Sequence, residues 1–275
     1  MVGELDPSTS GVVVSGTASA RPGLTFRNFS LRCDPSDSSI GFKDVWNWSF
    51  LEGKRTAVIT NNLFLKYQLV GALAGHLAPI SGQILFDGVI GWPVGGEGGL
   101  DSKLRISHAL DFLVAVYGDC LEKSFMRMDL FWDLLSRMEI HSELIIRDLS
   151  LLQKDYFFLA LSVLFSFDLY LIPRTKFLMS KSAKPLRPFL HNQLEAKTLV
   201  STSANKSFQR EFCTDGLVLG VFGELLFSGG LDEAIRWADQ NLEVSNSVDS
   251  DDEQFGTGLN LLNLDSSDDG ADDFI

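Results

Sequence analysis

The stretch VITNNLFLKYQLVGALAG, Val58 to Gly75, reads as a strand, a loop and a helix. Just upstream, RTAVIT (Arg55–Thr60) is a short apolar run of the kind buried on both faces of a sheet. A helix is predicted from Tyr67 to about Leu77, where APISG breaks it. A strand, a loop and a helix with a lysine at the last junction is the layout of a phosphate-binding loop, GxxxxGK[ST]. There, glycines let backbone N–H groups close around phosphates, the lysine neutralises them and the hydroxyl holds Mg²⁺. Here the first glycine position is Thr60, the second is Leu65 and the hydroxyl position is Tyr67; Lys66 alone is kept.

Working outward, LTFRNFSLRC (Leu24–Cys33) alternates like a strand, and VWNWSFLEG (Val45–Gly53) reads as another. QILFDG (Gln83–Gly88) is a strand and turn, and GWPVGGEGGL (Gly91–Leu100) an irregular loop. Apolar residues recur at helical spacing over Ser107–Tyr117 and Leu121–Met138, and Gln153–Phe165 is a nearly all-apolar helix. DLYLI (Asp168–Ile172) and KTLVS (Lys197–Ser201) are strands, Gly216–Gly230 a hairpin, and LDEAIRWADQ an amphipathic helix. Strands alternating with helices predict an α/β domain with a mainly parallel central sheet. The two early strands predict a flanking antiparallel β layer. The expected organisation is a disordered Ser/Gly/Thr/Pro-rich arm over 1–22, one domain over 23–240 with a helical subdomain at about 100–165, and an acidic disordered tail over 241–275.

The net charge of −13 is unevenly placed. Residues 241–275 hold ten acidic residues and no Lys or Arg, which leaves the remainder with 23 basic against 26 acidic side chains. A near-neutral body with an acidic tail argues against nucleic acid, which wants a basic face. Cys33, Cys120 and Cys213 form neither a disulfide framework nor a metal spacing, which fits a reducing cytoplasm. His76, His108, His141 and His191 are scattered, so no metal site is expected. The first residues, MVGELDPSTSG, lack the basic and apolar regions of a signal peptide. The longest apolar run, Tyr156–Phe167, falls short of the roughly 20 residues a bilayer span needs. Any membrane association is therefore expected through a partner.

The order of these pieces resembles the ATP-binding subunit of ABC transporters, and more narrowly the branch that exports capsular polysaccharide. The likeness is carried by GALAGHLAPISGQILFDG (Gly71–Gly88), WPVGGEGG (Trp92–Gly99), SHALDFLVAVYG (Ser107–Gly118), ALSVLFSFDLYLI (Ala160–Ile172), TLVSTS (Thr198–Ser203) and GLVLGVFGELLFSGGLDEAIRWA (Gly216–Ala238). The resemblance implies a P-loop NTPase fold, ATP and Mg²⁺ as the family's ligands, and two such subunits working under two membrane subunits. It also places the family's functional positions. The adenine-stacking aromatic falls on Ile40, and the phosphate loop on Thr60–Gln68 with Leu65 and Tyr67 where glycine and hydroxyl belong. The signature falls on Ser150–Gln153 with Leu152 at its glycine. The Asp-Glu pair that binds Mg²⁺ and polarises water falls on Pro173 and Arg174, and the switch histidine on Thr202. Only Lys66 and Ser150 survive, so no cofactor is expected.

Alternatives stand at several of these positions. Lys66 is a residual phosphate contact or a solvated lysine at a helix start. Arg174, with Lys66 and Lys176, forms a metal-free anion site, or it is an exposed loop residue. Trp92, Phe112, Phe125, Met128 and Trp132 line a docking groove for a membrane subunit or pack in the core. Leu259–Leu264 between acidic blocks is a partner motif or part of a solubilising tail.

The reading as a whole is a degenerate, non-hydrolytic structural or regulatory subunit of a polysaccharide exporter. It would be cytoplasmic or peripheral at the inner face of the plasma membrane, partnered by a permease subunit and by an intact ATPase subunit or a second copy. An active subunit with unconventional motifs and a stand-alone interaction protein are the alternatives. Because 241–275 is like-charged and poor in core-forming residues, its deletion is expected to leave the Tm of the body almost unchanged in a calorimetric scan; a large drop would show that it packs on the body.

Overall fold

The computed structural model describes residues 22–37 and 39–242. The expected N-terminal arm, save its last residue, and the tail from 243 onward lie outside them. The chain runs β1 (Pro22–Ser30), β2 (Ser49–Leu51), β3 (Arg55–Ile59), α1 (Leu63–Leu73), β4 (Ser81–Phe86), α2 (Ile106–Glu122), α3 (Met128–Ser136), α4 (Leu151–Leu164), β5 (Leu169–Ile172), α5 (Arg187–Gln193), β6 (Thr198–Ser201), α6 (Lys206–Phe212), β7 (Asp215–Leu219), β8 (Leu225–Gly230) and α7 (Leu231–Asn241). The central sheet has the order β5-β6-β3-β7-β8. Its first four strands are parallel, and β8 closes it as an antiparallel hairpin with β7. A second, antiparallel sheet has the order β2-β1-β4.

The parallel strands are apolar in sequence because both faces are covered. In β5, Leu169 and Leu171 point into the core between the two sheets, while Tyr170 and Ile172 enter the core under the helices. Ala57 and Val58 of β3, and Leu199 and Val200 of β6, divide in the same way. Between the sheets, Leu65, Leu69 and Leu73 of α1 meet an aromatic cluster of Phe26, Phe29, Phe42, Trp46 and Phe50. On the other face α4 is enclosed, and every residue from Tyr156 to Leu164 is buried. This explains why its sequence is apolar all round rather than along one stripe.

Several predicted boundaries are corrected. The helix after β3 begins at Leu63, not Tyr67, because Asn62 caps it, and it ends at Leu73. Gly75, at φ +76°, then turns the chain away. The strand expected over Val45–Gly53 shrinks to β2. The β1–β2 ladder is itself irregular between Pro22 and Thr25, and Trp46 pairs with Phe29 only through an isolated bridge, while Asn28, at φ +48°, sits at a second irregularity, on the β4 side of β1. The break expected between Tyr117 and Leu121 lies further on: α2 continues to Glu122 and α3 covers only Met128–Ser136. The Ser124 hydroxyl accepts the Met126 N–H (3.0 Å), holding a turn between Glu122 and Met128. Helices α5 and α6 have no counterpart in the sequence reading; each is seven residues long, too short to show a period.

At the β1–β4 irregularity, Gly82 adopts φ +75°, and a Cβ there would strike the carbonyl oxygens of Arg27 and Asn28. Gly99 shares φ +75° but faces open space. Gly99→Ala therefore carries only the dihedral penalty, about 1 kcal/mol, whereas Gly82→Ala adds a backbone clash and is expected to lose well over about 2 kcal/mol. Equilibrium urea unfolding of the two variants checks the ranking.

Candidate functional site

Because β3, β6 and β5 are parallel and in register, the residues that follow them emerge at one edge of the sheet: Thr60 after β3, Thr202 after β6 and Pro173 after β5. Ligand crevices in α/β folds form outside such strand ends. The fold thus brings Thr60, Pro173 and Thr202, with Arg174 next to Pro173, to one edge of the sheet.

The β3–α1 junction is the part with the most defined geometry. Only Thr60, Asn61 and Asn62 separate the strand from the helix. The Thr60 hydroxyl accepts the Asn62 N–H (3.2 Å). The Asn62 side-chain oxygen accepts the Leu65 N–H (3.0 Å), and its amide nitrogen donates to the carbonyls of Cys33 (2.8 Å) and Val221 (2.6 Å). One asparagine thus caps α1 and ties three segments together. Leu65, at the position a phosphate loop gives to glycine, is fully buried between the sheets. Lys66 lies within the first helical turns, its own N–H donating to the Asn62 carbonyl (3.2 Å), and is only 6% exposed. It is not a solvated lysine. Tyr67 follows it in α1, half-buried. Ile40 is half-buried against the inter-sheet core, its N–H donating to the Asp37 carbonyl.

At the end of β5, Pro173 is buried, and the Arg174 guanidinium donates to the Gly95 carbonyl (3.4 Å). Arg174 is therefore half-buried and aimed inward, unlike the exposed loop residue that one sequence reading allowed. Gly95 is itself held: the Ser162 hydroxyl accepts the Gly95 N–H and the Trp92 indole N–H, both at 3.1 Å, and donates to the Phe158 carbonyl (2.8 Å). Next to Arg174 lies Asp155 of α4, a residue that sequence reasoning passed over. Burial pushes its carboxyl above the usual carboxylate range, and the Arg174 charge opposes that shift. Its only signal was an acid inside an otherwise apolar helix. At the end of β6, the Thr202 hydroxyl is buried without a hydrogen-bond partner, while Thr175 and Ser203 share a hydroxyl bond of 2.8 Å.

Ser150 has a structural task. It is the N-cap of α4 in a reciprocal capping box with Gln153. Beside it Leu151 is 76% exposed, and Leu152 is exposed as well.

No family model matches the sequence. The chain is 26% identical over 202 residues to the polysialic acid transport ATP-binding protein KpsT of Escherichia coli, covering 73% of this chain and 91% of that protein. Among solved structures, an ATP-binding subunit of an ABC transporter superposes with a TM-score of 0.60 at 18% identity, covering 86% of this chain and 99% of that one. CbiO1 from Clostridium perfringens, part of the ABC transporter complex cbiONQ, superposes with a TM-score of 0.55 at 18% identity, covering 80% and 96%. The fold is that of an ABC-transporter ATP-binding subunit.

Within this ABC-type fold the aromatic residues named as docking candidates divide. Trp92 is 8% exposed and packs on Tyr117, Phe165 and Phe167, so it is a core residue. Met128 and Trp132 are partly buried against the helical core. Phe112 and Phe125 are exposed, at 52% and 58%, and Val116, one turn beyond Phe112 on α2, is equally open. Among the described residues, no helix is long and apolar enough to cross a membrane.

Asn62→Ala removes the α1 cap, about 1 kcal/mol, and strips the donor from two carbonyls. The expected loss is about 2–3 kcal/mol in urea unfolding with an unchanged m-value. A loss under about 0.5 kcal/mol would show that solvent replaces all three bonds.

Proposed function

We propose that this protein is a structural or regulatory subunit of an ABC transporter that exports capsular polysaccharide, without ATP hydrolysis of its own. The observation that carries this reading is the β3–α1 junction. A phosphate cradle needs a loop of backbone N–H groups turned toward the ligand. Here the equivalent residues are wound into α1, the Leu65 N–H is taken by the Asn62 side chain, and the Lys66 N–H by the Asn62 carbonyl. Leu65 and Tyr67 add bulk where phosphate would lie. Pro173 offers no side-chain oxygen to Mg²⁺, and Arg174 places a cation where a carboxylate would orient water. These residues do not fit a magnesium nucleotide, and no chemical step is derived through one.

The transport assignment is supported by the likeness to a polysialic acid transport ATP-binding protein over most of both chains. The exposed Phe112 and Val116 on α2, with Phe125 beyond its end, supply an apolar surface for a permease subunit. An intact ATPase subunit, or a second copy of this chain, would complete the pair. The protein then lies at the inner face of the plasma membrane through its partner.

Titration calorimetry of the purified full-length chain with Mg-ATP is expected to show no binding in the micromolar range, and a phosphate-release assay no turnover. Micromolar affinity abolished by Lys66→Ala would overturn the reading.

A further inference from the structure

A cavity of about 320 Å³ opens at the carboxyl end of β5, between α4, the loop that holds Gly95 and the segment after Pro173. Its floor is apolar, made by Leu159, Phe177 and Leu178. Its charged groups are Arg174, Lys176 and Asp155. The surroundings are fixed rather than loose. Ser162 pins Gly95 through a hydrogen bond to its N–H, and Arg174 reaches the Gly95 carbonyl from the other side. A few convergent polar groups over an apolar floor, outside the carboxyl end of a parallel strand, is the usual character of a small-molecule site.

We infer that this cavity binds a small organic monoanion, a carboxylate carried on an apolar or single-ring body, with Arg174 as the group that holds the carboxylate. Charge sets the ligand class. Arg174 is half-buried in the lining, and burial pushes the Asp155 carboxyl beside it toward its neutral form, so one fixed cation is matched by a monoanion, whereas a phosphate dianion would leave a second charge uncompensated over the apolar floor. Size sets the rest. About 320 Å³ lies at the small end of ligand sites and accommodates one ring with a short acid arm, not a nucleoside triphosphate. The guanidinium supplies a planar fork suited to a carboxylate. Leu159, Phe177 and Leu178 provide the apolar contact. This assignment does not depend on the transport reading, because none of the residues of the β3–α1 junction lines the cavity and it requires neither metal nor nucleotide.

The test uses 3-phenylpropionate and its neutral analogue 3-phenylpropionamide, titrated without Mg²⁺ into the ¹⁵N-labelled full chain and followed by amide shifts. The acid is expected to move the amides of Gly95, Phe177, Leu178 and Ser180 selectively. The neutral amide, and the acid on Arg174→Gln, are each expected to bind about tenfold or more weakly, with Arg174→Lys recovering part of the loss. Equal binding of acid and amide to the wild-type chain overturns the proposal, and that comparison needs no variant to fold. Shifts spread over other surfaces, or none up to about 10 mM acid, overturn it as well. Success here with micromolar Mg-ATP binding in the calorimeter would separate this site from the function proposed above.

Discussion

Four parallel strands that expose neither face to water set the terms for the rest of the molecule. A parallel sheet forms only when both sides are covered, because its connections must cross over it. In β5 the alternation Leu169, Tyr170, Leu171, Ile172 sends residues by turns to each core, and all four are fully buried. One side demands α1 and the aromatic layer built on β1. The other demands α4, enclosed deeply enough that nine consecutive residues are buried. The strand starts are fixed by charge: Lys54 pairs with Asp215 at 2.7 Å, and Lys197 pairs with Asp168 at 2.7 Å. Burial pushes the Asp168 carboxyl up, but its bonds with Lys197 and the Val89 N–H more than reverse that and hold it below its usual range.

Given that frame, the β3–α1 junction has one free choice: what fills the turn from strand to helix. A glycine loop there leaves N–H groups pointing at a ligand. This chain fills it with a side chain, Asn62, whose oxygen caps the helix and whose nitrogen holds the Cys33 and Val221 carbonyls. Leu65 then points into the inter-sheet core. The Leu65 N–H is thereby engaged by the Asn62 side chain, so the cap and the tie between Cys33 and Val221 rest on one residue.

The end of β5 was altered differently. Pro173 closes the strand without a donor, and Arg174 turns toward Gly95 and Asp155 rather than outward. Burial pushes the Asp155 carboxyl beside it up, and the Arg174 charge opposes that shift. That arrangement leaves a small cavity lined by Arg174 and Asp155 over Leu159, Phe177 and Leu178.

The amino-acid sequence alone determined the fold class and the order of the strands and longer helices. These follow from periodicity and apolar runs, which are local properties of the sequence. It also gave the residues at the β3–α1 junction and after β5 by identity, Leu65, Pro173 and Arg174, though not what they touch. The start of α1 was missed although Asn62 is a local cap signal through its bond to the Leu65 N–H, and what only the tertiary structure adds is that its amide nitrogen also holds Cys33 and Val221 from distant parts of the chain. The split among the aromatic residues was not legible: Trp92 and Phe112 look equally suited to docking, yet one finds Ser162 and three rings to pack on and the other finds water. Asp155 and Arg174 are nineteen positions apart in sequence, and only the packing of α4 over the end of β5 makes them neighbours. Burial and partner choice are decided by which elements cover a residue, and tertiary structure alone supplies that.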